Sequence, residues 1–271
     1  MAPRGRGVDS AVALGPDLAE TADAFDRRPT LTVPPSSPAP SAAAGRRLDK
    51  VVVAFDLDGT LVDTAPDLMG ALNTLLTEEG LPPLPLEAAS SLVGRGAKIM
   101  IERGFAAAGE PLDAARASAL FERYIALYLG RIAHESAPFE GMAEALDALE
   151  AEGAILAVCT NKRTDLSLAL LDALDLTKRF AAIVGADMAP RSKPDASHLL
   201  LTIEMAGGSP ERALMVGDSN NDVLAARNAG VPVVLVSFGY TEVPVAELDR
   251  DILIDRFDEL YAAALSLVPP L

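Results

Sequence analysis

The chain has 271 residues, of which 50% are hydrophobic, and its formal net charge is −16 at pH 7. No run of about 18 uncharged apolar residues occurs, so the sequence excludes a transmembrane helix, and the acidic charge disfavours nucleic acid or an anionic membrane as a partner. The one cysteine, Cys159, excludes an internal disulfide and a multi-cysteine metal site, and it fits a cytoplasmic location.

Residues 1–49 have the composition of a linker. The stretch 29–40 contains five prolines, with serines and alanines beside them. We therefore predict that 1–49 form a disordered, low-complexity tail. The alternatives are one frayed helix near 9–25, or a start codon placed too far upstream.

Short apolar, β-branched runs begin at residue 51, and a polar loop follows each of them. Such runs are typical of strands that are buried in a parallel sheet, and we predict strands at 51–55, 155–159, 182–184, 214–216 and 233–236. The segments between them have helical patterns, and we predict helices at 67–79, 86–93, 97–108, 113–132, 142–152, 166–174 and 222–229. The alternation predicts an α/β fold with a doubly wound parallel sheet.

The first two predicted strands are separated by about 100 residues, far more than a crossover between parallel strands needs. Most of these residues have helical patterns. We therefore predict an all-helical cap domain at 67–137, inserted after the first strand, and a catalytic core formed by 50–66 and 138–271.

Ligands of open α/β sheets bind beyond the carboxyl ends of the strands, so the residues there are candidates for a site. The first strand runs into Asp56 and Asp58, whose side chains point the same way because they are two residues apart. Gly59 allows a sharp turn, and the hydroxyl of Thr60 can bond that turn. The alternative is an ordinary acidic turn at a strand end.

Polar residues also follow the later strands. Thr160 and Asn161 come after the second strand and suit an anion, although Thr160 could simply begin a helix. Lys193 follows the third strand and could hold a phosphate or lie in solvent. Asp218 ends the fourth strand with Asp222 one helical turn later, and the alternative there is a helix N-cap. Together these residues predict an oxygen-rich Mg²⁺ site beside a phosphoryl group.

Four segments resemble the motifs of the haloacid dehalogenase superfamily of hydrolases. FDLDGTLVDTAPDL (55–68) resembles the first motif, Thr160 the second, Lys193 the third and GDSNND (217–222) the fourth. The resemblance covers about 51–271 and implies a Rossmann-like core with a helical cap. Within the superfamily the sequence is most similar to phosphoglycolate phosphatases, through segments such as CTNK (159–162) and FGYT (238–241).

This resemblance implies a Mg-dependent phosphomonoester hydrolase whose nucleophile, Asp56, forms an aspartyl-phosphate. Asp58 would be the general acid and base, and Asp222 would support the site from behind. The metal ligands would be Asp56, the backbone carbonyl of Asp58, and Asp218. The phosphoryl group would be held by Gly59, Thr60, Thr160, Asn161 and Lys193.

The implied substrate is a small phosphorylated metabolite, most of all phosphoglycolate. Arg95, between two glycines of the cap, is the candidate for selecting it, because a guanidinium suits a small carboxylate; the alternative is a solvated loop arginine. The rival functions are a phosphosugar mutase, a phosphatase for another small ester or pyrophosphate, and a receiver-type signalling domain. His134 and His198 have no metal-ligand spacing, so both are predicted to be structural.

Overall fold

The computed structural model describes residues 46–268. These described residues all belong to one compact unit. Of the predicted tail, residues 1–45 lie outside the described part of the chain and 46–49 lie within it. Leu48 is fully buried in the main apolar core, and its backbone N–H donates to the carbonyl oxygen of Glu152. The folded part therefore begins before Leu48, earlier than the predicted boundary after 49.

Six parallel strands form the central sheet, and they confirm the predicted α/β fold. In sheet order they are β5 (Ala182–Val184), β4 (Ile155–Cys159), β1 (Val52–Phe55), β6 (Ala213–Gly217), β7 (Val233–Val236) and β8 (Ile252–Ile254). Every neighbouring pair is parallel. The strand β8, which is three residues long, was not predicted from the sequence.

Helices cover both faces of the sheet. Those of the core are α5 (Met142–Ala151), α6 (Thr164–Ala173), α7 (Ala196–Met205), α8 (Asn220–Ala229) and α9 (Leu260–Leu267). Along β1 the side chains alternate between two apolar clusters, with Val53 and Phe55 on the side of α5 and α9, and Val52 and Ala54 on the side of α7 and α8. Each large side chain buried in this way stabilises the fold by about 1.5–3 kcal/mol. No described helix is long and apolar enough to cross a membrane.

Four helices lie in the chain between β1 and β4. They are α1 (Ala65–Glu78), α2 (Ala89–Leu92), α3 (Ala97–Ala107) and α4 (Ala114–Leu129). They have an apolar cluster of their own, which includes Leu72, Phe105 and Tyr124. The predicted helix 86–93 is instead a 3₁₀ turn over Leu86–Ala88 followed by the short α2. These helices occupy the predicted cap region, and its exact limits, 67–137, stay a prediction.

A two-stranded antiparallel ribbon joins the helical insertion to the sheet. It pairs β2 (Val62–Asp63) with β3 (Ala137–Pro138). Next to it the buried carboxylate of Asp67 accepts from Arg131 Nε at 3.1 Å and from the backbone N–H of Ser136 at 2.7 Å. These contacts hold the start of α1 to the segment that returns to the core.

Candidate active site

The carboxyl ends of three adjacent strands bring the predicted site residues together. Because β1 lies between β4 and β6 and runs parallel to both, Asp56, Thr160 and Asp218 follow the three strands at one edge of the sheet. All three side chains are buried.

Asp56 is held by one buried lysine. Its Oδ1 lies 2.9 Å from Lys193 Nζ and accepts the backbone N–H of Leu57 at 2.7 Å. Burial raises the pKa of Asp56 to about 7, against the lowering effect of Lys193 and with further raising by the carboxylates of Asp222 and Asp58. A carboxylate must be ionised to act as a nucleophile. Lys193 alone does not keep the pKa of Asp56 at its ordinary value, so full ionisation at neutral pH would require a further positive charge nearby.

Asp222 supports the site from behind. Its Oδ1 accepts from Lys193 Nζ at 2.6 Å. Its Oδ2 accepts from the backbone N–H of Asp218 at 3.3 Å, and from the backbone and hydroxyl of Ser219 at 3.0 and 2.7 Å. The contacts to Ser219 complete a capping box at the start of α8. Both oxygens of Asp222 are thus used in orienting other groups.

Asp218 is held by the turn after β1 and by a later loop. Its Oδ1 accepts from Thr60 Oγ1 at 3.3 Å, and its Oδ2 accepts from the backbone N–H of Tyr240 at 2.6 Å. Gly59 has a positive φ of 84°, and a Cβ at that position would lie 2.5 Å from Asp218 Oδ2. Burial, chiefly, raises the pKa of Asp218 well above its ordinary value. Gly59 and Thr60 therefore position this carboxylate.

Asp58 has a partner that the sequence analysis did not include. Its Oδ1 accepts from Thr64 Oγ1 at 2.7 Å and from Lys162 Nζ at 2.8 Å. Lys162 is buried, and its ammonium lies 4.5 Å from the centre of the Tyr128 ring. The sequence feature that could have identified Lys162 is its position directly after Thr160 and Asn161 at the end of β4.

The Asn161 side chain joins two loops. Its Nδ2 donates to the carbonyl oxygen of Gly94 at 3.2 Å and to that of Lys193 at 3.1 Å. Because its amide hydrogens are used in this way, any contact of Asn161 with a phosphoryl group falls to its backbone. The neighbouring Thr160 side chain is buried and lines the cavity described next.

A cavity of about 70 Å³ lies between the sheet edge and the helical insertion. Asp56, Asp58, Thr160 and Lys162 line it from the core. The insertion contributes Leu68, Leu92, Val93, Gly94, Gly96, Ala97, Met100, Phe121, Tyr124 and Tyr128. The lining thus encloses the two catalytic candidates in largely apolar surroundings.

Arg95 lies outside the lining of this cavity. Its side chain is exposed, and the residue borders a separate groove with Asn220 and Glu242. The flanking Gly94 and Gly96 have positive φ values of 95° and 87°. The geometry therefore favours Lys162 over Arg95 as the cation that faces a substrate.

The charges of the site fit a divalent cation. Four buried carboxylates, those of Asp56, Asp58, Asp218 and Asp222, face the two buried ammonium groups of Lys162 and Lys193. With all four carboxylates ionised the site has two surplus negative charges, which one divalent ion would offset. Oxygens of Asp56, Asp218 and Asp222 lie within 4.8 Å of one another, and hard oxygen ligands suit Mg²⁺. Asp222 accepts four hydrogen bonds, against two for Asp218, so Asp56 and Asp218 are the better candidates for ligands.

Comparison with known proteins identifies the family of the chain. The family model of haloacid dehalogenase-like hydrolases matches residues 53–236. A protein of Caulobacter vibrioides named phosphoglycolate phosphatase is 57% identical over 221 residues, which cover 82% of this chain and 93% of the relative. One of Agrobacterium fabrum with the same name is 51% identical, with coverage of 77% and 90%.

The fold also has a similar solved structure. The crystal structure of a predicted phosphoglycolate phosphatase from Haemophilus somnus 129PT superposes with a TM-score of 0.74 at 30% identity, covering 80% of this chain and 98% of that one. The family model spans more than half of the chain, and the site motifs lie within that span. The chain therefore belongs to the haloacid dehalogenase-like hydrolase family.

Proposed function

We propose that the chain is a Mg²⁺-dependent phosphatase that hydrolyses a small phosphate monoester through an aspartyl-phosphate on Asp56, and that phosphoglycolate is its substrate. The observation that carries this proposal is the pair Asp56 and Asp58 at the end of β1, with Lys193 on the first carboxylate and Lys162 on the second. The relatives named phosphoglycolate phosphatase support both the reaction and the substrate.

The first half of the reaction transfers the phosphoryl group to the protein. A carboxylate oxygen of Asp56 attacks phosphorus, and the bond between phosphorus and the ester oxygen breaks. Asp58 gives a proton to the departing oxygen, which leaves as an alcohol. In the second half Asp58 takes a proton from a water molecule, the water oxygen attacks phosphorus, and inorganic phosphate leaves Asp56.

Lys193, Thr160 and the backbone N–H groups near Gly59 and Asn161 would hold the phosphoryl oxygens. Mg²⁺ bound by Asp56, Asp218 and the backbone carbonyl of Asp58 would offset the surplus negative charge and polarise the phosphoryl group. The cavity volume and the buried Lys162 favour a small anionic ester over a nucleotide.

The test is the release of inorganic phosphate from a panel of esters with Mg²⁺. We expect kcat/KM to be highest for phosphoglycolate among phosphoglycolate, hexose phosphates, a nucleoside monophosphate and pyrophosphate. Asp56→Asn should lower kcat at least about a thousandfold, because an amide is a poor nucleophile, and a chelator should abolish turnover. Asp258→Asn, a change in an exposed pair with Arg256, is the control and should retain activity. Turnover by Asp56→Asn at more than a few per cent would refute the nucleophile, and a higher kcat/KM for another ester would refute the substrate.

A further inference from the structure

Two buried polar atoms in the cavity wall have no protein partner within residues 46–268. They are the hydroxyl of Tyr128 and Oδ1 of Asn161. Buried polar groups are nearly always hydrogen-bonded, because leaving one unpaired is unfavourable. An amide oxygen can only accept, whereas the Tyr128 hydroxyl can donate, and this hydroxyl therefore indicates that the cavity receives a hydrogen-bond acceptor on the ligand.

Tyr128 is placed to donate to that ligand. It lies on α4 and is 1% exposed, and its ring stacks on that of Tyr124, with centroids 6.3 Å apart and planes at 8°. The hydroxyl of Tyr124 already donates to the carbonyl of Leu68 at 3.3 Å. Burial raises the pKa of Tyr128 well above 10, with a further effect of Asp58, so its hydroxyl keeps its proton.

Lys162 supplies positive charge at the same wall. Its ammonium contacts both Asp58 and the ring of Tyr128, at 2.8 Å from the carboxylate oxygen and 4.5 Å from the ring centre. The other buried ammonium, Lys193, is shared by Asp56 and Asp222. An ammonium has three hydrogens, and the pairing with Asp58 uses only part of this capacity.

We propose that the Tyr128 hydroxyl and the Lys162 ammonium form a subsite for a carboxylate on the leaving group of the substrate. Tyr128 is then a specificity-determining residue supplied by the helical insertion, and the class of substrate is a phosphorylated hydroxy acid of two or three carbons. This inference rests on the proposed function and adds to it the residues that recognise the acid.

The subsite accounts for two features together. A carboxylate accepts both a hydroxyl and an ammonium hydrogen bond, and its charge strengthens the second, whereas a neutral alcohol group would offer the remaining hydrogens of the ammonium no charge. Lys162 also touches Asp58, so the acid of the substrate would lie close to the ester oxygen that Asp58 protonates. That placement suits an acid one carbon away from the ester oxygen.

The experiment compares Tyr128→Phe with the wild type on two esters of similar size. One is phosphoglycolate, and the other is 2-hydroxyethyl phosphate, which replaces the carboxylate by an alcohol. We expect the ratio of kcat/KM for the two esters to fall about ten- to a hundredfold in the variant, since a hydrogen bond to a charged group is lost. Binding of the unreactive 3-phosphonopropanoate, measured by calorimetry with Mg²⁺, should weaken by a similar factor.

Tyr124→Phe is the matched control, because it removes the hydroxyl of the stacked neighbour that already has a protein partner. It should keep the wild-type ratio. The melting temperature of Tyr128→Phe should not fall, since its hydroxyl has no bond to lose within the protein, so an altered ratio cannot be ascribed to unfolding.

Each result is decisive. An unchanged ratio in Tyr128→Phe, with a wild type that prefers phosphoglycolate, would refute the subsite and leave the proposed function standing. Loss of the preference in Arg95→Ala in place of Tyr128→Phe would move recognition to the loop before α3 and also refute it. A wild type with phosphatase activity but no preference for phosphoglycolate would overturn the proposed substrate and the subsite with it.

Discussion

His198 should make the stability of the protein fall as the pH drops below 7. It is fully buried on α7, where its Nδ1 accepts the backbone N–H of Lys193 at 3.2 Å and its Nε2 lies 3.1 Å from the carbonyl oxygen of Val184. A carbonyl can only accept, so Nε2 carries the hydrogen and the ring is neutral. Burial, chiefly, and then the charge of Lys193 lower the pKa of His198 to about 4.

The sign follows from comparing the two states. In the unfolded chain the histidine takes up a proton below about pH 6.5, whereas the folded protein resists it down to about pH 4. The unfolded state therefore binds more protons across this interval, and stability is lost as the pH falls. For these two pKa values, RT ln[(1 + 10^1.5)/(1 + 10^−1)] gives a loss of about 2 kcal/mol between pH 8 and pH 5.

The assay is urea unfolding of the wild type, His198→Asn and His134→Asn at pH 8, 7, 6 and 5. The free energy of unfolding of the wild type minus that of His198→Asn should fall by about 2 kcal/mol over this range. The raised pKa values of Asp56 and Asp218 act in both proteins, so they cancel in the difference. His134 is exposed and serves as the control, whose unfolding should follow the wild type. A difference that stays constant from pH 8 to pH 5 would refute the neutral, buried ring.

Two further predictions test how the carboxylates of Asp218 and Asp222 are positioned. Asp222→Asn removes the buried partner of the Lys193 ammonium, so it should lower the free energy of unfolding by about 3–5 kcal/mol and kcat/KM at least tenfold. Ser219→Ala removes the side chain of the helix cap and keeps the ion pair, so it should lower the free energy of unfolding by about 1 kcal/mol. Equal losses in the two variants, measured by urea unfolding, would contradict the role of the ion pair. Gly59→Ala should raise the Mg²⁺ concentration needed for activity more than tenfold, because the added Cβ would collide with Asp218. The control is Gly80→Ala, which has a similar positive φ but open space around it and should leave the Mg²⁺ requirement unchanged. Equal effects of the two variants on the Mg²⁺ titration would show that backbone strain alone is the cause.

The sequence was sufficient to predict the residues at the strand ends. Asp56, Thr160 and Asp218 each follow an apolar run, and the rule that parallel strands present their carboxyl ends at one edge brings them together without knowledge of any side-chain rotamer. The strand β8 escaped prediction because it has three residues, of which two are only half-buried, so its pattern differs little from that of a loop.

The sequence could not reveal which residues of the helical insertion contact which residues of the core. The contact between Lys162 and Tyr128 joins the end of β4 to a helix of the insertion, and it depends on how that helix lies over the sheet. Arg95 illustrates the same limit at short range, because the sequence does not reveal that the side chain is exposed and that the residue borders a groove outside the cavity. Hydrophobic periodicity reports which face of a helix is buried and carries no information on what that face meets.

The two buried lysines contact different parts of the protein. Lys193 joins Asp56 to Asp222, and both of these belong to the core, so its contact with the proposed nucleophile does not involve the insertion. Lys162 joins Asp58 of the core to the ring of Tyr128 on α4. Movement of α4 away from the sheet would therefore remove one neighbour of the ammonium that contacts Asp58, the proposed general acid. The proposed subsite would therefore give one side chain, Lys162, two roles, because it would bind the acid of the substrate and it contacts both the proposed general acid and the helical insertion.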